Sequence, residues 1–546
     1  MTPLSPTPPV EPDLLSRGYF FSPSFPPALP TQLATTLSSM SSRDFTTTTP
    51  SADETRDTAL AAHFERFRQR IIGQHHEFDA PYGPRRILYA DWTASGRLYG
   101  PIEEKIATCF GPFVANTHTE TSTTGTMMTL AYHRAKGIIK QHVHADAGDV
   151  LISYGSGMTG VINKFQRILN LRVPERWRNA VQIPDSERPV IFVTHMEHHS
   201  NQTSWLETIC DLEVIAPTPD GLVDVQNLEQ LLERYAGRST KIAAVTACSN
   251  VTGIRTPYHQ IAATMHRHGG LCFVDFACSA PYVDIDMHPA DPEQHLDAIY
   301  FSPHKFLGGP GTAGILIFDS ALYHNRVPDN PGGGTVKWTN PWHEHDYVEN
   351  IEDREDGGTP PFLQTIRTAL CVKLKEEMGV QRILEREEQL VDLIFSQLEG
   401  VPGLQILADQ HRHRLGVISF IIQGLHFNLA VKLLNDRFGI QVRGGCSCAG
   451  TYGHYLLEVD EHVSHVLTAQ ISSGDLSGKP GWVRMSIHPT MTDEEVLYLC
   501  SAVRAVAENW RTWAADYNYD RHTNEFCHCD FDNPAERQVE GWFDMR

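Results

Sequence analysis

The sequence contains no long hydrophobic run and has a shortage of positive charge. No stretch of about 18 consecutive apolar residues occurs, which excludes a membrane-spanning helix, so we expect a soluble protein without membrane contact. Among 546 residues, 45 Lys and Arg stand against 66 Asp and Glu, a net charge of -21. Such a surface repels phosphate backbones and excludes a general nucleic-acid binder, so any anionic ligand needs a local pocket.

An apolar signal core is missing from the first 50 residues, which are rich in Pro, Ser and Thr. Residues 1–51 are therefore predicted to form a disordered leader, in a cytoplasmic protein, with a mitochondrial transit peptide as the alternative. The chain has 11 cysteines, an odd number spread along its length. This distribution is typical of reduced, intracellular cysteines rather than of a disulfide framework.

Seven short apolar runs alternate with helical stretches in the middle of the chain. They predict an α/β fold with a mostly parallel seven-stranded sheet that is covered on both faces. The last two runs are joined by about a dozen residues, too few for a crossover helix, so this pair is predicted to be antiparallel. The runs lie at 150–154, 190–195, 212–217, 242–247, 271–276, 298–302 and 314–319.

Changes in the residue pattern divide residues 52–546 into three predicted parts. A large domain covers 52–400; it opens with an amphipathic helix and ends with a long helical region, 361–399, which is broken near Gly379. A smaller α+β domain covers 401–515, and it alternates strands and helices around a cysteine-containing loop. The remaining residues, 516–546, form a tail without usable periodicity.

A glycine pattern follows the first predicted strand. Gly155, Gly157 and Gly160 spell GxGxxG before a helical stretch, which is the context of a dinucleotide-binding turn. The acidic residue near the end of the next strand, Glu197, lies well beyond the expected spacing of about 20 residues. A phosphate site at the helix N-terminus, with Thr159, is one interpretation, and a turn that binds nothing is the other. A nicotinamide-dependent dehydrogenase stays open as an alternative function.

A more specific pattern, SPHKFLGGPG, occupies 302–311. Lys305 lies there between a predicted buried strand and a glycine loop, where desolvation lowers the pKa of an amine and makes it nucleophilic toward an aldehyde. The adjacent Ser302 and His304 can donate to a phosphate. Asp275 closes another apolar strand, where a carboxylate is costly unless a buried cation pairs with it. A pyridinium nitrogen is such a cation, and this combination is the signature of pyridoxal phosphate sites.

The chain resembles the fold-type I pyridoxal 5′-phosphate (PLP) enzymes of the class V aminotransferase group, in particular the cysteine desulfurases and selenocysteine lyases. The resemblance implies a fold-type I PLP-dependent transferase fold, PLP as cofactor, a small amino-acid substrate, a homodimer and a possible sulfur-acceptor protein. It spans roughly residues 85–515 and rests on the segments YADWTASG, GMTGVIN, MEHHSN, SNVTG, VDFACSA, SPHK, RGGCSCAG and WVRMS.

The resemblance assigns a role to each matching residue. It implies that Lys305 forms the Schiff base, that Asp275 partners the ring nitrogen and that His198 stacks on the ring. Arg484 would clamp the substrate α-carboxylate, a bidentate task suited to guanidinium, with Asn250 beside cofactor and substrate. Further cofactor-binding positions, the last of them reaching the phosphate of a neighbouring subunit, are Met158, Thr159, Cys278, Ser302, His304 and Thr335.

The loop RGGCSCAG decides which chemistry the resemblance implies. Cys448 occupies the position of the family's persulfide-forming cysteine, and Cys446 lies where a histidine commonly sits. A thiolate on a glycine loop could reach the cofactor, and nearby Arg443 would lower its pKa. We predict a catalytic Cys448 and no bound metal. The alternatives are a loop without chemistry, or half of a metal site completed by Cys527, His528 and Cys529.

Two departures from the family pattern bear on the substrate. Cys278 stands where the family has a glutamine that bonds the cofactor's phenolic oxygen, and a thiol is a poorer donor. A polar stretch, 458–475, is inserted between Cys448 and Arg484. We predict PLP-dependent cleavage of the carbon–sulfur bond of a cysteine-like amino acid, with a persulfide on Cys448. β-Elimination, transamination and epimerisation are the alternatives.

Overall fold

A computed structural model describes residues 52–117 and 119–545, so the predicted leader, 1–51, lies outside the described residues. All seven predicted strands are confirmed, and together they form one sheet. Their bounds are β1 (Asp149–Tyr154), β2 (Val190–Thr194), β3 (Asp211–Ile215), β4 (Lys241–Thr246), β5 (Leu271–Asp275), β6 (Ala298–Phe301) and β7 (Gly314–Asp319).

The order of strands across the sheet is β1-β7-β6-β5-β4-β2-β3. Strands β2 to β6 pair in parallel, whereas β7 is antiparallel to both β6 and β1. The predicted antiparallel final pair is therefore confirmed, because its short connection leaves no room for a crossover. The carboxyl ends of the six strands that share a direction meet at one edge, where α/β proteins place their ligands.

Helices cover both faces of the sheet, as its near-continuous apolar strands require. Gly379 has a φ of 82°, a conformation that favours glycine, and it ends one long helix and begins the next, as predicted. The principal helices up to residue 400 are Ala52–Arg68, Thr123–His142, Gly157–Ile168, His199–Leu206, Val225–Arg234, Tyr258–Arg267, Phe362–Met378 and Val380–Leu398.

A second, four-stranded antiparallel sheet follows residue 400. Its strands are β8 (Leu404–Ile406), β9 (Val417–Ile422), β10 (Arg443–Gly445) and β11 (Trp482–Ser486), in the order β8-β9-β11-β10. The accompanying helices are Phe427–Phe438, Gly450–Leu456, Glu461–Ser472 and Asp493–Trp513. The helix Glu461–Ser472 has no buried residue and forms from the inserted polar stretch.

The tail contains structure that the sequence pattern did not predict. Tyr517–Asp520 and Glu525–His528 pair as an antiparallel hairpin, and the helix Ala535–Trp542 follows. The hydroxyl of buried Tyr517 donates to the Asp436 carboxylate at 3.0 Å, which attaches the hairpin to the second sheet's helical layer. Two four-residue strands are too short to show a periodicity. The domain boundaries at 400 and 515 stay predictions.

Within the described parts of the chain, no helix is both long and apolar enough to cross a membrane.

Candidate active site

A cavity of about 220 Å³ lies at the carboxyl ends of β4 and β5. The last residues of these strands, Thr246 and Asp275, line it. Residues from the second sheet close its other side, so the cavity lies between the two sheets. It brings together Met158, Thr159, His198, Asn250, Asp275, Cys278, Ser302, His304, Lys305, Cys448 and Arg484, which are all the predicted site residues except Thr335.

The glycine turn after β1 forms one corner of the cavity. Gly157 has a φ of 69°, and a β-carbon there would lie 2.9 Å from the Ser302 hydroxyl oxygen, so only glycine fits. That hydroxyl accepts a hydrogen bond from the Met158 backbone N–H at 2.8 Å. The hydroxyls of Thr159 and Ser200 lie 2.6 Å apart. A helix N-terminus ringed by hydroxyl groups is suited to a phosphate.

A buried carboxylate and a lysine form the centre of the cavity. Asp275 is 3% exposed, and its carboxylate accepts a hydrogen bond from the Ala277 backbone N–H at 2.8 Å. Burial raises the pKa of Asp275 to about 6, against the opposing effects of that hydrogen bond and of the Lys305 charge. No ion pair to this carboxylate forms among the residues described. Burial also lowers the pKa of Lys305, which favours the neutral, nucleophilic form of the amine.

Two histidines beside Lys305 are neutral at physiological pH. Burial lowers the pKa of His198 to about 3, and the Lys305 charge lowers it further. The Nδ1 atom of His198 accepts from the Ser200 backbone N–H at 3.1 Å, so the proton of this ring lies on Nε2. Burial and the Lys305 charge likewise lower the pKa of His304 to about 4. A neutral His198 is compatible with stacking on an aromatic cofactor ring.

Sequence reasoning missed one charged residue of the site, Asp91. Its Oδ1 accepts from Arg484 Nη2 at 2.8 Å, and its Oδ2 accepts from Arg443 Nε at 3.0 Å. Arg443 and Arg484 lie opposite each other on β10 and β11, and both line the cavity. One carboxylate therefore holds two guanidinium groups, which leaves an excess positive charge for an anionic substrate. Asp91 belongs to the segment YADWTASG, but no spacing rule marked it.

A hydrogen-bond network connects the two sides of the cavity. The Asn250 side-chain amide donates to the Ser447 carbonyl at 2.7 Å, and Arg484 Nη1 donates to the Asn250 carbonyl at 3.2 Å. The Trp482 indole N–H donates to the Ser447 hydroxyl at 3.1 Å. The buried Asn250 Oδ1 and Arg484 Nε atoms form no hydrogen bond within the described residues. Both are therefore free to bind a ligand.

The two cysteines of the glycine loop differ in position. Cys448 is exposed and lines the cavity, whereas Cys446 is partly buried and packs against the core. Ser447 and Cys448 have φ values of 52° and 56°, an uncommon left-handed conformation for residues with side chains. The Cys448 carbonyl accepts from the His199 backbone N–H at 2.7 Å, which fixes the loop at the cavity mouth.

Cys278 has a second thiol as its neighbour. A hydrogen bond from Cys248 lowers the pKa of Cys278, and the Lys305 and Arg484 charges lower it further against the effect of burial. Both sulfur atoms also approach the Ser249 carbonyl, at 3.6 Å for Cys248 and 3.7 Å for Cys278. Cys248 was not among the predicted residues, because a buried cysteine next to an apolar strand is usually only a packing residue.

Thr335 and the tail cysteines lie away from this cavity. The Thr335 hydroxyl donates to the Gly332 carbonyl at 2.7 Å, and its side chain is buried within its own chain. Its contact with a neighbouring subunit's cofactor stays a prediction. Cys527 and Cys529 are exposed at the end of the tail hairpin and are not among the residues that line the cavity.

The model of the aminotransferase class-V family matches residues 88–499. The chain belongs to this family. Class-V members use PLP, so the protein is a PLP-dependent enzyme, and the glycine turn after β1 belongs to a PLP protein rather than to a nicotinamide dehydrogenase.

Proteins similar in sequence to this chain have more specific descriptions than the family does. The chain is 28% identical over 371 residues to a probable cysteine desulfurase from Halalkalibacterium halodurans, across 66% of this chain and 84% of that protein. It is 27% identical over 384 residues to a probable cysteine desulfurase from Staphylococcus aureus, across 69% and 87%.

Solved structures share the fold. The apo cysteine desulfurase from Thermococcus onnurineus superposes with a TM-score of 0.65 at 22% identity, covering 82% of this chain and 98% of that one. The cysteine desulfurase CsdA from Escherichia coli gives a TM-score of 0.62 at 21% identity, covering 82% and 98%. The predicted fold-type I architecture is confirmed.

The residues that line the cavity have the chemistry that PLP requires. The pyridine nitrogen, when protonated, supplies the cation that the buried Asp275 carboxylate lacks. The glycine turn with Ser302 and Thr159 suits the phosphate, and the neutral His198 ring suits the face of the pyridine. The amine of Lys305 can bond the aldehyde carbon. Unbonded polar atoms of Asn250 and Arg484 remain for the substrate.

Proposed function

We propose that the protein cleaves the carbon–sulfur bond of a cysteine-like amino acid, releasing alanine and leaving the sulfur as a persulfide on Cys448. The single observation that supports this proposal most strongly is the presence of Cys448, Lys305 and Arg484 around one cavity. The names of the relatives agree with this reaction. PLP, when bound, supplies an electron sink that accepts the negative charge developing at the substrate Cα.

Arg484 and Asn250 bind and orient the substrate. The α-carboxylate pairs with the Arg484 guanidinium, whose Nε donor is free and whose Nη2 is fixed by Asp91. Asn250 Oδ1 is the nearby unpaired acceptor. Arg484 is 3% exposed, so the pair forms in a site of low dielectric, where it is stronger than in water.

Lys305 moves the protons. Burial lowers the pKa of the Lys305 amine, and in its neutral form Nζ can take the proton from the substrate Cα and later return one to the product carbon. Asp275 would hold the cofactor's pyridine nitrogen in its protonated form. Because Asp275 is buried, water does not compete for this contact.

Cys448 takes the sulfur. Its thiolate attacks the substrate sulfur, a sulfur–sulfur bond forms and the carbon–sulfur bond breaks. The electron pair of the broken bond stays with the carbon, to which Lys305 then delivers a proton, and alanine leaves. The exposed position of Cys448 allows a second thiol, on an acceptor protein or a small molecule, to remove the persulfide sulfur by exchange.

The proposal includes a homodimer in which Thr335 of each subunit lies near the phosphate of the other subunit's cofactor. The measurement that tests this part is the mass of the holoprotein in solution by light scattering. A monomer with full activity would refute it.

A substrate panel tests the proposed reaction. Purified holoprotein is given L-cysteine with a reducing agent, and sulfide, alanine, pyruvate and keto acid are quantified. Equal amounts of alanine and sulfide are expected. Pyruvate with sulfide would instead identify β-elimination, and keto acid from a sulfur-free amino acid would identify a transaminase. Either result would refute the persulfide route.

A further inference from the structure

Two thiols that the proposed reaction does not use lie next to each other in the wall of the active cavity. Cys248 follows the end of β4 by two residues and Cys278 follows the end of β5 by three, and the two strands are neighbours in the sheet. Both cysteines are buried, at 1% and 5% exposure, and both line the cavity.

The two sulfur atoms share one hydrogen-bonding environment. Cys248 Sγ lies 3.6 Å and Cys278 Sγ 3.7 Å from the Ser249 carbonyl oxygen, and the Cys248 thiol donates to the Cys278 sulfur. The backbone N–H of Ala247 donates to the Asp275 carbonyl at 2.9 Å, which holds the two segments together. A disulfide requires sulfur atoms about 2.05 Å apart. Thiols already in hydrogen-bond contact approach this distance by rotation about their Cα–Cβ bonds.

One thiol of the pair is reactive and the other is not. The hydrogen bond from Cys248 lowers the pKa of Cys278, and the charges of Lys305 and Arg484 lower it further, whereas burial raises the pKa of Cys248. Cys278 faces the cavity, which opens to solvent beside the exposed Cys448. A thiolate within reach of solvent and next to a second thiol is the pattern of redox-sensitive cysteines.

We propose that Cys278 and Cys248 are a site of reversible oxidation, at which a hydroperoxide such as hydrogen peroxide converts the two thiols into a disulfide. The Cys278 thiolate attacks one oxygen of hydrogen peroxide, so that a sulfur–oxygen bond forms and the oxygen–oxygen bond breaks. The departing hydroxide takes the proton of the Cys248 thiol and leaves as water.

The second step closes the disulfide. The Cys248 thiolate attacks the Cys278 sulfur, a sulfur–sulfur bond forms and the sulfur–oxygen bond breaks. The departing hydroxide takes a proton from solvent and leaves as a second water. The two thiols are oxidised and the peroxide is reduced, and a later thiol reductant reverses the modification by exchange. The proposal requires the cavity but not the persulfide route.

The disulfide changes the charge beside Lys305. The negative charges of Cys278 and Asp275 raise the pKa of Lys305, whereas burial and the charges of Arg484 and Arg443 lower it. The two histidines next to this lysine are neutral. Because a disulfide carries no charge, oxidation removes one of the two negative charges that favour a protonated nitrogen at Lys305.

Other buried cysteines lack this arrangement. Burial raises the pKa of Cys272, Cys371 and Cys500, and these three do not line the cavity. Buried thiols of this kind are inert toward oxidants. Cys272 also lies on β5, which makes it the matched control for Cys278.

Peptide mapping of the oxidised holoprotein tests the proposal. Holoprotein is treated with hydrogen peroxide, alkylated under denaturing conditions and digested with chymotrypsin, which cuts between Cys272 and Cys278, whereas trypsin leaves both on one peptide. We expect a disulfide between the peptides of Cys248 and Cys278, and recovery of both thiols after a thiol reductant. A disulfide from Cys278 to Cys448 instead, or a Cys278 that stays alkylated, would overturn the proposal.

Three variants separate the two roles. In Cys248→Ser, a reagent specific for sulfenic acid should label the Cys278 peptide, which it should not label in the native protein. In Cys278→Ser, Cys248 should remain a free thiol after peroxide. Cys272→Ser should form the same disulfide as the native protein. Equal labelling of Cys278 in the native protein and Cys248→Ser, or loss of the disulfide in a Cys272→Ser protein that retains cofactor absorbance, would contradict the assignment.

The effect on Lys305 has a spectroscopic readout. In Cys448→Ser holoprotein, which lacks the exposed thiol of the cavity, the visible absorbance of lysine-bound cofactor is followed against pH. The midpoint of its change should move to lower pH after peroxide and return after reduction, and it should not move in Cys278→Ser/Cys448→Ser. An unmoved midpoint in Cys448→Ser protein that carries the disulfide would refute the effect on Lys305.

Discussion

The charge on Asp275 should oppose folding until a cation reaches it. Burial raises the pKa of Asp275 from an ordinary value of 3.8 to about 6. A shift of roughly two units corresponds to about 3 kcal/mol of unfavourable free energy for the ionised form at neutral pH. In the protein freed of cofactor, replacing Asp275 by Asn should therefore stabilise the fold, since the amide oxygen can still accept from Ala277.

The sign follows from the direction of the shift. A carboxyl whose folded-state pKa is raised contributes no penalty below pH 3.8, an increasing penalty as pH rises toward about 6, and its full penalty above that. Urea unfolding of cofactor-free Asp275→Asn should give a gain of about 3 kcal/mol at about pH 8 over the native apoprotein, and the gain should disappear near pH 4. In contrast, the variant should bind PLP more weakly.

A buried carboxylate that already has its cation provides the control. Asp356 bonds Lys136 at 2.9 Å, so Asp356→Asn should destabilise the apoprotein at the same pH, by about 3–5 kcal/mol. If Asp275→Asn were equal to or less stable than the native apoprotein at all pH values, the inference of an unpaired buried charge would be refuted.

Other predictions concern individual side chains of the cavity. Lys305→Ala should lose the visible absorbance of lysine-bound cofactor after gel filtration; retained absorbance would contradict its role. Cys448→Ser should abolish sulfide release from L-cysteine, measured with a reducing agent, while Cys446→Ser keeps most of it, and equal loss in both would contradict the assignment. Arg484→Ala should raise KM for the amino acid about 10- to 100-fold, in line with the loss of a charge-assisted bond. Asp91→Asn should raise the same KM less, and Asp91→Glu should restore part of it; an unchanged KM in Asp91→Asn would remove its positioning role.

Much of the large sheet could be predicted because its strands are buried on both faces. Near-continuous apolar runs such as 271–276 leave little ambiguity, and the loop between 302 and 314 is too short for a helix. A carboxylate at the end of such a run, Asp275, is conspicuous because burial makes it costly. Lys305 was recognisable because it lies between a predicted buried strand and a glycine loop, where desolvation lowers the pKa of an amine.

Other features depend on packing that no local pattern records. Asp91 becomes important only when β10 and β11 place two arginines against it, and the loop carbonyl at Ser447 has no sequence signature. The tail hairpin is too short to show periodicity. The contact predicted for Thr335 would be made with a second subunit's cofactor, and it stays a prediction.

The central claim is that Cys448 receives the substrate sulfur. The most direct test mixes the holoprotein with one equivalent of L-cysteine, quenches with a thiol-alkylating reagent and examines the peptides by mass spectrometry. The account predicts one additional sulfur atom on the peptide that carries Cys448, formed together with an equal amount of alanine. An unmodified Cys448 peptide while alanine or pyruvate accumulates would contradict it.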